Sequence, residues 1–272
     1  MSNESPLQYN ATVVSNELMS DHLAILKVKP DRPLSEFKAG QFAVLGLVGT
    51  APCAPNASQC KIPDEPQKLI RKAYSIASAG VQTDTLEFYI ALVPEGELTP
   101  RLFHLKAGDR LFIGTKITGK FTLDSIPVDK NLILVSTGTG LAPFLSMVRT
   151  DMICGHVRHF VVIHGARHSS ELGYYNELSL MAQNCKNFHY LPTVSRPTED
   201  ANWGGLKGRV TDVLTQGVVE KATGLELSPE YFHVLLCGSP NMVEDISIQL
   251  EAKGFRRDTK SAPGNIHKEE YW

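Results

Sequence analysis

The stretch Arg71-Lys72-Ala73-Tyr74-Ser75-Ile76-Ala77-Ser78 sets cations, an aromatic ring and hydroxyls close together in an otherwise apolar run. In a strand, residues two apart face the same way. Ala73, Ser75 and Ala77 therefore share one face, and Tyr74, Ile76 and Ser78 the other. Small residues let a flat group lie close to the backbone. Arg71 can grip a phosphate, Tyr74 offers a stacking surface and Ser75 a hydrogen bond. A ligand with a phosphate, a flat ring and a ring nitrogen, such as a flavin nucleotide, matches that set. A plain core strand flanked by two surface cations is the other reading of the same residues.

A second set lies further on. Asn131 to Ser136 is a continuous apolar run, as in a parallel strand buried on both faces. Thr137-Gly138-Thr139-Gly140-Leu141-Ala142-Pro143 follows it, and helical spacing continues from Phe144 to Arg149. Open α/β sheets bind dinucleotides at such strand-to-helix turns. The glycines admit a pyrophosphate or a ring to the backbone. The pattern is G-x-G-x-x-P rather than G-x-G-x-x-G, and Pro143 suits a first helical turn. Cys237-Gly238-Ser239-Pro240-Asn241-Met242 is another such turn, carrying a thiol. Arg167, Arg196 and Arg209 sit just past strand ends or before a helix. In a doubly wound sheet they converge on the carboxyl edge, where three cations suit the 2′-phosphate of NADPH. Ordinary surface arginines are the alternative for each taken singly.

The elements that position these groups fall into two rhythms. Up to about residue 125, short strand candidates at Tyr9 to Ser15, His22 to Lys29, Gly40 to Leu47, Leu86 to Val93 and Leu111 to Ile117 alternate with turns, which predicts an antiparallel barrel. Gly49 to Gln67 has four prolines and no period, and reads as a long surface loop. Glu97 to Phe103 starts a short helix whose free N–H groups suit an anion. After Pro127 to Lys130, strands and helices alternate as in a doubly wound α/β domain. The expected domains are 1–126 and 127–272.

Composition narrows the class. With 272 residues, 42% hydrophobic and 21% charged, the chain suits a globular protein of two ordinary domains. A net charge of −2 argues against general nucleic-acid binding. No apolar run approaches a membrane span, and Met1 to Asn10 lacks the pattern of a secretion signal, so a cytoplasmic location is expected. Five scattered cysteines suit reduced thiols better than a disulfide framework. Cys53 and Cys60 read as free thiols, with a local disulfide as the alternative. The pairs His156/His159 and His164/His168 lack carboxylate partners in a helical pattern, so no metal site is expected. Glu269-Glu270-Tyr271-Trp272 ends in two aromatics, which favours docking of the tail over fraying.

Taken together, Arg71 to Ser78, the G-T-G-x-A-P pattern at Gly138 to Pro143, the C-G-S-P-x-M pattern at Cys237 to Met242 and the Tyr-Trp terminus resemble the ferredoxin–NADP reductase family, in its short bacterial form. The resemblance runs from about residue 8 to the end. Ala73 counts as one extra residue in R-x-Y-S-I-A-S. The resemblance implies FAD on the barrel and NADP(H) on the second domain. It places Arg71 on the FAD pyrophosphate, Tyr74 on the flavin, Ser75 near flavin N5, Ile76 in the same segment, and Leu98 and Thr99 at the pyrophosphate. It gives Thr137, Gly138, Gly238 and the three arginines to NADPH, and Thr139 and Gly140 to the flavin or nicotinamide region. Tyr271 falls by the flavin and Trp272 by the adenine. Ser75, Cys237, Glu269 and Glu270 flank the transfer path, where the nicotinamide gives a hydride to flavin N5 and electrons leave singly.

The implied partner is an acidic carrier, ferredoxin or flavodoxin, and the implied state a monomer. Lys61, Lys68, Arg71, Lys72, Lys106, Arg110, Lys116 and Lys120 can form a basic rim that steers such a carrier. The longer Gly49–Gln67 segment is the departure from the pattern. Two other readings remain at this stage. One is an NADH-dependent reductase feeding an oxygenase or cytochrome, which the arginine cluster disfavours. The other is a non-catalytic flavin-binding subunit or sensor, which the two later turns disfavour.

Overall fold

The computed structural model describes residues 9–57, 63–65 and 67–270. It divides into two compact units between Lys120 and Phe121. Phe121 goes with the second unit, its ring 5.8 Å from that of Phe144.

The first unit is a six-stranded antiparallel sheet. Its strands are β1 (Ala11–Ser20), β2 (Leu23–Pro30), β3 (Phe42–Val48), β4 (Leu69–Ser75), β5 (Leu86–Ala91) and β6 (Arg110–Ile113), in the order β4-β3-β6-β1-β2-β5. An isolated bridge between Ile76 and Phe88 joins the two ends of that order, which curls the sheet into a barrel. The period-2 pattern explains the core. Ala43, Leu45 and Leu47 on β3 alternate inward and meet Leu26, Val28, Leu111 and Ile113. α1 (Thr99–His104) packs Leu102 and Phe103 onto it. The segment after β3 is not merely a surface loop. Ala54 is buried and its N–H donates to Pro100 O at 2.8 Å, and the fully buried Arg101 guanidinium donates to Gly49 O.

The second unit is a six-stranded parallel sheet with helices. It contains β7 (Asn131–Thr137), α2 (Ala142–Asp151), β8 (Phe160–Ala166), α3 (Tyr175–Asn184), β9 (Phe188–Val194), β10 (Leu206–Lys207), α4 (Val210–Thr215), α5 (Val218–Thr223), β11 (Phe232–Gly238), α6 (Pro240–Glu251) and β12 (Ile266–Glu270), with strand order β10-β9-β8-β7-β11-β12. β7, β8 and β11 are buried almost end to end, as continuous apolar runs require. Ser239 caps α6 by accepting from the Met242 N–H, with Pro240 in the first turn.

The cysteine expectation is corrected. Cys154, just past α2, and Cys185, at the end of α3, form a disulfide with Cα atoms 5.0 Å apart. Cys53 is disulfide-bonded too, not a free thiol, and Cys60 lies outside the described residues. Cys237 is buried and forms no disulfide. No helix among the described residues is long and apolar enough to cross a membrane, and none of their His, Cys, Asp and Glu side chains group as a metal site.

Candidate functional site

β4 sets the geometry of the first site. It pairs with β3 without a bulge from Leu69 to Ser75, Leu45 opposing Lys72 and Ala43 opposing Tyr74. Directly opposed residues of an antiparallel pair share a face. Lys72 and Tyr74 therefore lie on one side and Arg71, Ala73 and Ser75 on the other. Arg71 opposes Gly46 and sets its guanidinium 4.7 Å from the centre of the Phe112 ring, a cation–π contact. The extra residue counted at Ala73 is thus not looped out, and the cation on the Tyr74 face is Lys72. Burial raises the Tyr74 phenol far above its ordinary value, so it stays protonated.

Ser75 is buried at the end of β4, and Ile76 beyond it is fully buried and bridges Phe88. Leu98 is buried, and the Thr99 hydroxyl is spent on Val93, accepting from its N–H at 3.0 Å and donating to its C=O at 3.2 Å. What these two residues can offer a ligand is backbone. Among the rim cations, Arg110 is committed within the fold. It makes a bidentate pair with Asp31, two contacts of 2.6 Å, which lowers the Asp31 carboxyl below its usual range. Lys68 pairs with Glu65, while Lys72, Lys106, Lys116 and Lys120 are exposed. Lys61 lies outside the described residues.

The second site is the carboxyl edge of the parallel sheet. Gly138 to Leu141 form a single 3₁₀ turn between β7 and α2. Gly138 has φ +52°, and a Cβ there would meet nothing within 4 Å, so its outer side is open to a ligand. At Gly140 the opposite holds, since a Cβ would fall 2.3 Å from the Cys237 carbonyl oxygen. The turn after β7 and the turn after β11 thus touch backbone to backbone, which brings Thr137, Gly138, Thr139 and Gly140 beside Cys237 and Gly238.

One residue below the turns, the register aligns His164, Ser136, Cys237 and Glu269 in a row across β8, β7, β11 and β12. Ser136 is fully buried, and its Oγ has no hydrogen-bond partner among the described residues. A buried orphan hydroxyl beside an open glycine turn fits a bound polar group. Glu270, the other tail carboxylate, is exposed and pairs with Lys268 at 2.8 Å. Glu269 is therefore the one that neighbours Cys237. His164 meets the Tyr190 hydroxyl at 3.1 Å, and burial pushes its imidazole down to about 4.

The three arginines stand at neighbouring strand ends. Arg196 N donates to Arg167 O at 3.0 Å, so the turns after β8 and β9 run side by side. Gly208 N donates to Val194 O at 3.0 Å, which brings the chain before Arg209 to the end of β9. The Asp212 carboxylate accepts from Arg209 N at 2.9 Å and fixes the start of α4.

Comparison with known proteins fits both halves. The family of the oxidoreductase NAD-binding domain matches residues 134–247. A flavodoxin/ferredoxin–NADP reductase of Buchnera aphidicola (subsp. Schizaphis graminum) is 32% identical over 266 residues, 97% of this chain and 98% of its own. The chain belongs to the ferredoxin/flavodoxin–NADP reductase family. A ferredoxin–NADP reductase of Pseudomonas aeruginosa is 33% identical over 258 residues, 91% of each chain. The crystal structure of a ferredoxin NADP+ reductase from Neisseria gonorrhoeae with bound FAD and NADP has a TM-score of 0.77 at 27% identity, covering 96% of this chain and 97% of that one.

The sequence placed Lys72 on the basic rim and gave Ser136 and His164 no place at the cofactor edge. Strand continuity through Ala73 was the available signal for Lys72. The orphan state of Ser136 has no sequence signal. Tyr271 and Trp272 lie outside the described residues.

Proposed function

We propose that the protein is a flavoenzyme that moves electrons between NADPH and a one-electron protein carrier, ferredoxin or flavodoxin, with FAD held by the barrel and NADP(H) by the α/β unit. What supports this reading most is the placement of Arg167, Arg196 and Arg209 just past the ends of the neighbouring strands β8, β9 and β10, at the sheet edge that carries the open glycine turn, in a chain of this family. When bound, the two cofactors supply hydride transfer to flavin N5 and release of electrons one at a time.

The chain's own residues bind, orient and exclude. Lys72 and Tyr74 share the face on which a cation meets the FAD pyrophosphate and a ring lies against the flavin. Arg71 remains the cation that the motif points to, but its guanidinium is occupied by Phe112. The Ser75 hydroxyl would serve the flavin edge of a bound FAD as a hydrogen-bond donor. Ile76 keeps water from that segment, and the Leu98 and Thr99 backbone meets the pyrophosphate. Thr137, Gly138 and Gly238 form the floor for NADPH, with Thr139 and Gly140 toward the nicotinamide. Cys237 sets a dry surface there, and Glu269, its neighbour in register, supplies a carboxylate at the same edge. These are effects on position and local dielectric.

The exposed lysines give the carrier its electrostatic approach, and the working form is a monomer. The test is to purify the protein, measure FAD content, and follow NADPH-driven reduction of a ferredoxin and a flavodoxin. Stoichiometric FAD with reduction of either carrier is expected. Colourless protein that cannot be loaded with FAD would overturn the reading.

A further inference from the structure

A carboxylate lies against one of the three arginines. Glu199 Oε2 lies 3.0 Å from His168 Nε2 and 3.6 Å from Arg196 Nη1. Its neighbours behave differently. The Glu171 carboxylate accepts from the backbone N–H groups of Arg167 at 3.0 Å and His168 at 3.4 Å, and that of Asp200 accepts from Ser169 N at 2.5 Å. Glu171 braces the loop after β8 from within, and Asp200 ties that loop to the one after β9. Among the described residues the Glu199 carboxylate meets the Arg196 guanidinium and the His168 imidazole, and its side chain is 56% exposed. His168 and Arg196 hold the Glu199 carboxyl below its usual range, so it is an anion throughout the working pH range.

One oxygen atom that gathers a guanidinium and an imidazole is arranged as a phosphate oxygen would be. We propose that Glu199 is an internal stand-in for the 2′-phosphate, holding Arg196 and His168 in the binding arrangement and giving them up when the phosphate docks. The inference rests on the assignment of the arginines to the 2′-phosphate. Its consequence is competition. A nucleotide with a 2′-phosphate exchanges a carboxylate for a dianion at the same two groups, whereas one without it leaves Glu199 where it is. Glu199 therefore lowers affinity for 2′-phosphorylated ligands, and His168 is a further specificity-determining contact.

The probes are adenosine 2′-monophosphate and adenosine 5′-monophosphate, titrated calorimetrically into the FAD-loaded protein at neutral pH. Glu199→Gln keeps the size of the side chain and removes its charge. One exposed ion pair and one hydrogen bond of ordinary strength correspond to an increase of about threefold to tenfold in the ratio of 2′- to 5′-monophosphate affinity. An unchanged or lowered ratio in Glu199→Gln, with Arg196→Ala still weakening the 2′-monophosphate, would show that Glu199 only positions Arg196 and would overturn the inference. If Arg196→Ala and Arg167→Ala both leave the 2′-monophosphate bound as before, the phosphate assignment itself fails and the inference falls with it. Circular dichroism and FAD content confirm that each variant is folded.

Discussion

The sharpest structural claim concerns which cation on β4 serves the flavin nucleotide. The register fixes Lys72 on the Tyr74 face and Arg71 on the opposite one, over Phe112. Replacing each in turn by Met keeps an apolar stem and removes the charge. A hydrogen bond to a charged group contributes about 1.5–3 kcal/mol net. Lys72→Met should therefore weaken FAD binding roughly 10- to 150-fold. Arg71→Met removes a cation–π contact worth about 0.5–1 kcal/mol at an exposed site. That loss falls on folding stability and lowers the melting temperature by a few degrees, with little change in FAD affinity. Apoprotein titrated with FAD, read by quenching of flavin fluorescence, separates the two effects. Strong loss of FAD in Arg71→Met with none in Lys72→Met would refute the argument from strand parity.

Three further outcomes follow from the geometry. Ser75→Ala should slow reduction of bound FAD by NADPH in anaerobic stopped flow about tenfold or more while FAD stays bound, and an unchanged rate would remove Ser75 from the transfer path. Cys154→Ser should lower stability to urea by up to about 3–4 kcal/mol, the loop-closure value for a 31-residue separation, and a non-reducing peptide map should show the Cys154–Cys185 link in the wild type. His164 and His233 are buried neutral, each pushed down to about 4 chiefly by desolvation. The unfolded chain binds these protons first, near 6.5, so stability is full above that pH and falls as pH drops from 6.5 toward 4, by about 2–3 kcal/mol for each ring. A urea midpoint that stays flat from pH 7 to 5 would contradict their burial.

Much of this architecture was legible because its signals are local. Apolar runs without alternation mark β7, β8 and β11, and the small residues at Gly138, Gly140 and Gly238 mark turns that the backbone contacts then explain. The arginines were placed by topology, since residues after neighbouring parallel strands must meet at one edge. β12 escaped notice because Ile-His-Lys-Glu-Glu carries one aliphatic residue, and its pairing with β11 rests on backbone bonds that leave no pattern. The Cys154–Cys185 bridge was missed because a spacing of that length carries no motif, and only the packing of α2 and α3 on the sheet brings the two together. The choice between Arg71 and Lys72 turns on a register that a motif cannot supply. The role of Glu199 turns on distances.

The central claim is that three arginines and a glycine turn make this chain a reductase selective for NADPH. Its most direct test is the ratio of kcat/KM for NADPH and NADH with an artificial electron acceptor at physiological ionic strength. Two or more charge-assisted contacts to the 2′-phosphate, at about 1.5 kcal/mol or more each, predict a preference for NADPH of at least about 100-fold, largely lost in Arg196→Ala. Equal efficiencies for the two nucleotides in the wild-type protein would contradict the account.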